Sequence, residues 1–199
     1  MFDIILTILS IVIQLKQRVI GGEIMADITI EFDSTDEFDR TKAIEAILFL
    51  ASRLSNPGKY IICKRLYLAD KCSLEKYGRF IFGETYCAME RGATPSNAYD
   101  LLKDAAESDI DGIKVQGNRV IPSRKPNLDY LSESDIECLE EAIKTPGWRI
   151  KQDTHDAAYQ KSWNNRGDKG SAPIPVENIA KLFADSDDLI DYLANCGAE

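Results

Sequence analysis

Residues 59–103, KYIICKRLYLADKCSLEKYGRFIFGETYCAMERGATPSNAYDLLK, read as a helix, a sharp stop, a short extended run, a tight loop and a second helix. Lys64, Leu66, Tyr67, Leu68, Ala69 and Asp70 fall on the first helix. Tyr77-Gly78 closes it, since glycine reaches the left-handed conformation that ends helices without a Cβ clash. Phe80, Phe82, Tyr86 and Ala88 alternate as in a strand. Thr94 can cap the next helix, and Pro95 suits its first turn, where a missing N–H is no loss. Nothing in this frame breaks a covalent bond unaided. It offers a polar and aromatic surface, which fits recognition better than catalysis.

Upstream, residues 38–54 place Ala43, Ile44, Ile47, Leu48, Leu50, Ala51 and Leu54 at helical spacing, with Thr35 or Asp36 as the expected cap, and Ser55-Asn56-Pro57-Gly58 as a turn. Asp27 to Phe32 alternates as a short half-buried strand does. The apolar run from Ile4 to Leu15 is interrupted by Thr7, Ser10 and Gln14, and falls short of the ~20 apolar residues that span a bilayer. With Asp3 ahead of it and Lys16 and Arg18 behind, it lacks the layout of a secretory signal. Gly21-Gly22-Glu23 can be encoded by a purine-rich, ribosome-binding stretch, so translation is expected to begin at Met25. Residues 1–24 then read as an upstream misannotation or a disordered apolar leader, the alternative being a membrane-surface helix.

Downstream, Ile113 to Gln116 and Arg119 to Ile121 flank Gly117-Asn118, and glycine in first place suits the type II′ turn of a two-residue hairpin. Leu131-Ser132-Glu133-Ser134-Asp135 carries the grammar of a helix start: Ser132 caps, Asp135 reciprocates, and Leu131 staples onto Ile136. Thr145-Pro146-Gly147 should end that helix, and another should start at Asp153 or Thr154 with Tyr159 and Trp163 one turn apart. Asn164 to Ala172 reads as a mobile loop, and the tail from Ile179 to Leu193 as amphipathic, split by Asp185-Ser186-Asp187-Asp188. The expected fold is mainly α with a small antiparallel β-sheet or hairpin, one globular domain over residues 25–199.

A chain of 199 residues with 44% hydrophobic and 29% charged residues belongs with ordinary globular proteins. Its formal charge of −9 argues against broad attraction to nucleic acid, which is driven by Lys and Arg displacing counterions. Charge is uneven: residues 58–92 carry seven basic and four acidic side chains, whereas residues 133–141 carry five acids and no base. Five scattered cysteines without a CxxC suit a reducing cytosol, and their spacing disfavours zinc.

Chemistry-bearing motifs are sparse. His155, the only histidine, lies between Asp153 and Asp156, yet no serine or cysteine in a nucleophile-elbow context accompanies it. GxxxxGK[ST] and GxGxxG are missing, so no phosphate-cradling loop is expected. Neither a cofactor nor a metal is called for. Asp70 falls in an otherwise apolar helix face and needs a partner if buried, with Lys64, Arg65, Arg79 and Arg91 as candidates. It could be an internal tie or the acid of a binding groove.

The central segment resembles the Panacea domain, the antitoxin family that includes SocA-type antitoxins and phage-associated GepA-like proteins. The family's helix resembles K-L-L-Y-x-A-D, and Lys64-Arg65-Leu66-Tyr67-Leu68-Ala69-Asp70 matches it with Arg65 in an apolar place. Tyr77-Gly78-Arg79-Phe80-Ile81-Phe82-Gly83-Glu84-Thr85-Tyr86-Cys87-Ala88 fits Y-G-x-P-I-x-G-x-x-Y-x-A with Phe80 for the proline. Gly92-Ala93-Thr94-Pro95-Ser96 fits G-P-V-P-S with Ala93 for the first proline, and Tyr99-Asp100-Leu101-Leu102 completes it. More loosely, the likeness runs from Phe38 to Trp163. It implies a cytosolic, non-enzymatic antitoxin that binds a protein toxin encoded beside it, with delivery of the toxin to a protease or repression of its own operon as alternatives. A basic toxin could be steered to the acidic stretches. Lys64, Tyr67, Asp70, Tyr86, Arg91, Ser96 and Tyr99 are the motif residues expected to be most informative for partner binding, since aromatic side chains and arginine anchor interfaces.

Overall fold

The computed structural model describes residues 13–20, 23–30 and 37–196. In chain order the strands are β1 (Ile13–Ile20), β2 (Glu23–Ile30), β3 (Tyr86–Met89), β4 (Gly92–Pro95), β5 (Ile113–Gln116), β6 (Arg119–Pro122) and β7 (Ser171–Pro173). The helices are α1 (Arg40–Arg53), α2 (Lys59–Tyr77), α3 (Ser96–Asp104), α4 (Glu133–Lys144), α5 (Gly147–Thr154), α6 (Ala157–Asn164), α7 (Val176–Ala180) and α8 (Ser186–Cys196). The chain is thus mainly helical with small antiparallel sheets, ordered β1-β2, β4-β3-β7 and β5-β6.

Helix α2 runs between two apolar clusters. Ile62, Cys63, Leu66 and Ala69 join the first, with α1, α3, α4 and the β5–β6 hairpin. Tyr67 and Leu74 join the second, with β3, β4, α6 and α7. A helix flanked on two sides has no wide polar face, which explains why its charged residues Lys64, Arg65 and Asp70 are also buried. Helix α1 is more extreme: every residue from Ala43 to Ala51 is buried, Glu45 included. Glu45 survives there because Arg124 grips both carboxylate oxygens at 2.6 and 2.9 Å and the Asn127 N–H donates at 2.7 Å.

Several local expectations hold. Gly78 takes φ +67° and its N–H bonds the Leu74 carbonyl, closing α2. Gly117 takes φ +60°, while Asn118 does not share the positive φ, as a type II′ turn requires. Ser132 and Asp135 form a complete capping box on α4, and Leu131 is buried in the cluster against which Ile136 packs. The tail divides between α7 and α8, though ahead of the acidic run, since Ser186, Asp187 and Asp188 open α8.

Others need correcting. The strand expected from Phe80 begins only at Tyr86, because Asp70 captures the Ile81 N–H and Gly83 turns the chain at φ +62°. Thr94 lies within β4 instead of capping α3, whose cap position is Pro95. The cap of α1 is Asp39, whose carboxylate accepts from the Lys42 N–H at 2.9 Å; Thr35 and Asp36 lie outside the described residues. Thr145-Pro146-Gly147 does end α4, at Lys144, but Gly147 at once opens α5, and the helix after that is capped by Asp156, not by Asp153 or Thr154. Ser171 and Ala172, the end of the expected loop, form with Pro173 a strand paired with β3. Ile13–Ile20, where the alternative reading of residues 1–24 expected a surface helix, is a strand paired with Glu23–Ile30.

Gly78 admits one test. Its left-handed φ and the Tyr192 ring, 2.6 Å from where a Cβ would sit, both oppose a side chain. Gly78→Ala is expected to cost about 1–2 kcal/mol from the backbone alone, lowering the thermal midpoint and speeding amide exchange in α8 as Tyr192 is displaced. An unchanged midpoint would contradict the cap.

Candidate functional site

The motif residues on α2 face inward and hold the frame together. Asp70, fully buried, receives two hydrogen bonds: the Ile81 N–H donates to Oδ1 at 2.8 Å and the Tyr86 hydroxyl to Oδ2 at 2.7 Å. None of the four cations expected as partners reaches it. Lys64 donates to the Ala93 carbonyl (2.6 Å) and Thr94 Oγ1 (3.1 Å), and Arg79 pairs with Asp135 at 2.8 Å. Arg65 turns to carbonyls at the end of α4, and Arg91 is exposed at the β3–β4 turn. Burial pushes the Asp70 carboxyl up to about 7 against the pull of its two donors. Burial likewise lowers the Lys64 ammonium to about 8.

Tyr67 and Tyr86 meet edge to face at 4.9 Å, and Tyr67 donates to Asp156 Oδ2 at 2.9 Å. Lys71 donates to the same oxygen at 2.7 Å, so Asp156 fastens the start of α6 to α2 while also capping α6. Ser96 and Tyr99 are half-buried on α3; Ser96 donates to Cys87 Sγ at 3.2 Å, and Lys103 lies over the Tyr99 ring. Of the seven motif residues, Lys64, Tyr67, Asp70 and Tyr86 are thus buried together around β3 and β4, whereas Arg91, Ser96 and Tyr99 stand apart at the surface or near it.

Glu84 escaped the sequence reading. Buried beside the start of α3, it accepts from the N–H groups of Thr85 (2.8 Å), Asn97 (3.0 Å) and Ala98 (2.8 Å), and so caps a helix whose own cap position is Pro95. The signal was present, because a proline cannot supply a capping oxygen, but the accepting carboxylate lies too far upstream for a local rule.

His155 also serves packing. Its Nδ1 lies 2.7 Å from the Lys151 carbonyl oxygen, its ring leans on Tyr159, and it covers Gly92, where a Cβ would come within 2.7 Å of Cε1. Burial lowers its basicity. Among the described residues no three His, Cys, Asp or Glu side chains are arranged to hold a metal ion, and no helix is long and apolar enough to cross a membrane.

What remains outward-facing is aromatic at a few points. Trp148 on α5 is 76% exposed, more than Tyr130 (53%), Leu128 (43%) or Tyr77 (39%). These side chains offer contact points on the described surface.

A family model described as the SocA-like antitoxin, Panacea domain, matches residues 62–164, just over half of the chain. The chain belongs to this family. Comparison with curated proteins and with solved structures gives no match. The Panacea segment opens in the first turn of α2 and closes with the last residue of α6. It contains both the Tyr86–Asp70 and Tyr67–Asp156 hydrogen bonds and the ring contact that joins the two tyrosines, so the residues that carry the resemblance are those that lock the Panacea frame. Membership supports an antitoxin-type role, and with it a toxin partner in general.

Proposed function

We propose that this protein is a cytosolic antitoxin that neutralises a protein toxin encoded beside it, by binding it and without chemistry of its own. The Panacea match across α2 to α6 carries this reading. The burial of Lys64, Asp70 and Glu84 in structural contacts supports it, since their polar atoms already have partners inside the fold. The charge of −9 favours a protein partner over a nucleic acid.

Expression of the neighbouring gene with and without this one tests the reading. The neighbour alone should arrest growth, and co-expression should restore it with the toxin still present at its usual level. A neighbour that is harmless alone, or lethal in both settings, overturns the antitoxin reading. Rescue accompanied by protease-dependent loss of the toxin would replace neutralisation by binding with delivery to a protease.

A further inference from the structure

We propose that the exposed knuckle joining α4 to α5, with Trp148 at its tip, is the surface that docks the toxin, and that its counterpart is an apolar pocket rimmed by carboxylates. This rests on the antitoxin reading and says where it operates. Three independent observations meet here.

The first is exposure. Lys144, Pro146, Gly147, Trp148, Arg149, Lys151 and Gln152 are all open to solvent, and nothing stands within 4 Å of where a Cβ on Gly147 would be. Ile150 and Thr154 anchor the other side of the helix in the interior. A projecting tryptophan on a fixed base is the side chain most often found to dominate protein–protein affinity.

The second is charge. Residues 144–152 hold Lys144, Arg149 and Lys151 and no acid, within a chain of net charge −9. Among the described residues, the ion pairs of Lys144 and Arg149 are with Glu141 and Asp153, one helical turn away at the edges of the knuckle. Such surface pairs are weak and exchange readily for a partner's carboxylates. Lys151 has no ion pair among the described residues.

The third is rigidity. The buried guanidinium of Arg65 reaches the end of α4. Nη1 donates to the carbonyls of Ala142 and Ile143, and Nη2 donates to that of Thr145 at 3.2 Å. Its Nε is buried with no hydrogen-bond partner among the described residues. The guanidinium fixes the carbonyls from which the knuckle departs, and a contact surface held in place before binding loses less freedom on association. Arg65 is a positioning residue for Trp148.

The test measures the affinity of the full chain for the purified product of the neighbouring gene. Trp148→Ala should weaken binding by about 30-fold or more, with thermal stability unchanged because the side chain is exposed. Lys151→Glu should weaken it further at low salt than at high salt. Arg65→Leu should weaken it in the wild-type background and have no further effect in the Trp148→Ala background, since it acts through Trp148. Equal binding by Trp148→Ala and wild type places the interface elsewhere and overturns the proposal while leaving the antitoxin reading intact. Arg65→Leu losing the same factor in both backgrounds removes its positioning role. A wild-type chain that fails to bind the neighbour defeats the antitoxin reading and the knuckle together. A dimer of this chain that depends on Trp148 and persists with toxin present assigns the knuckle to self-association and also overturns the proposal.

Discussion

Asp70→Ala should lower the free energy of unfolding by about 3–5 kcal/mol, because it strands two buried donors and opens a small cavity. The Ile81 N–H and the Tyr86 hydroxyl have no water to turn to, since Asp70 and Tyr86 are at most 1% exposed. Asp70→Asn keeps an acceptor for Ile81 and should cost less. The pair of variants also isolates a pH dependence. The folded-state carboxyl is raised to about 7, chiefly by burial, from an ordinary value of 3.8. In that window the unfolded chain has released its proton and the folded chain retains it, so the contribution of Asp70 is complete below pH 4 and is lost as pH rises to 7. The slope approaches ~1.4 kcal/mol per pH unit. Urea unfolding of wild type and Asp70→Asn between pH 4 and 8 should show the wild-type advantage shrinking as pH rises. An advantage that grows with pH would mean that Asp70 is ionised throughout and that the two donors outweigh its burial.

Glu84→Ala should cost about 2–4 kcal/mol. The Asn97 and Ala98 N–H groups open α3, and Pro95 gives them no capping oxygen. Removing the carboxylate leaves Ala98, fully buried, with an unbonded donor at the positive end of a helix. Glu84→Gln retains one oxygen and should recover part of the loss. Thermal unfolding gives the magnitude, and faster amide exchange confined at first to Ser96–Asp104 gives the location. A loss under about 1 kcal/mol would show that solvent can take the place of Glu84.

These two carboxylates also mark where the sequence was legible. The capping box of Ser132 and Asp135 was readable because both partners lie within one turn, and Gly78 because a left-handed helix end has a short list of occupants. The partners of Asp70 and Glu84 lie 11 to 16 and up to 14 residues away, in segments whose path depends on those very contacts. For Asp70, charge arithmetic pointed to arginine and lysine, whereas a backbone N–H and a tyrosine hydroxyl served. Helix α5 was hidden by ambiguity: Thr145-Pro146-Gly147 reads as a stop, yet proline at the cap and glycine just after it equally begin a helix. Strand β7 is three residues long and exists only by pairing with β3, a relation that no local pattern records. The motif residues themselves were found, but a motif does not say which way its side chains point. Their burial follows from α2 having apolar neighbours on two sides.

Because α1 contributes nine consecutive buried residues and begins well before residue 62, the stretch shared with the family lacks part of its own interior. The knuckle at residues 144–149, by contrast, contributes to neither apolar cluster. Side chains there can therefore be exchanged without opening a gap in either cluster: the frame and its projecting edge can vary independently.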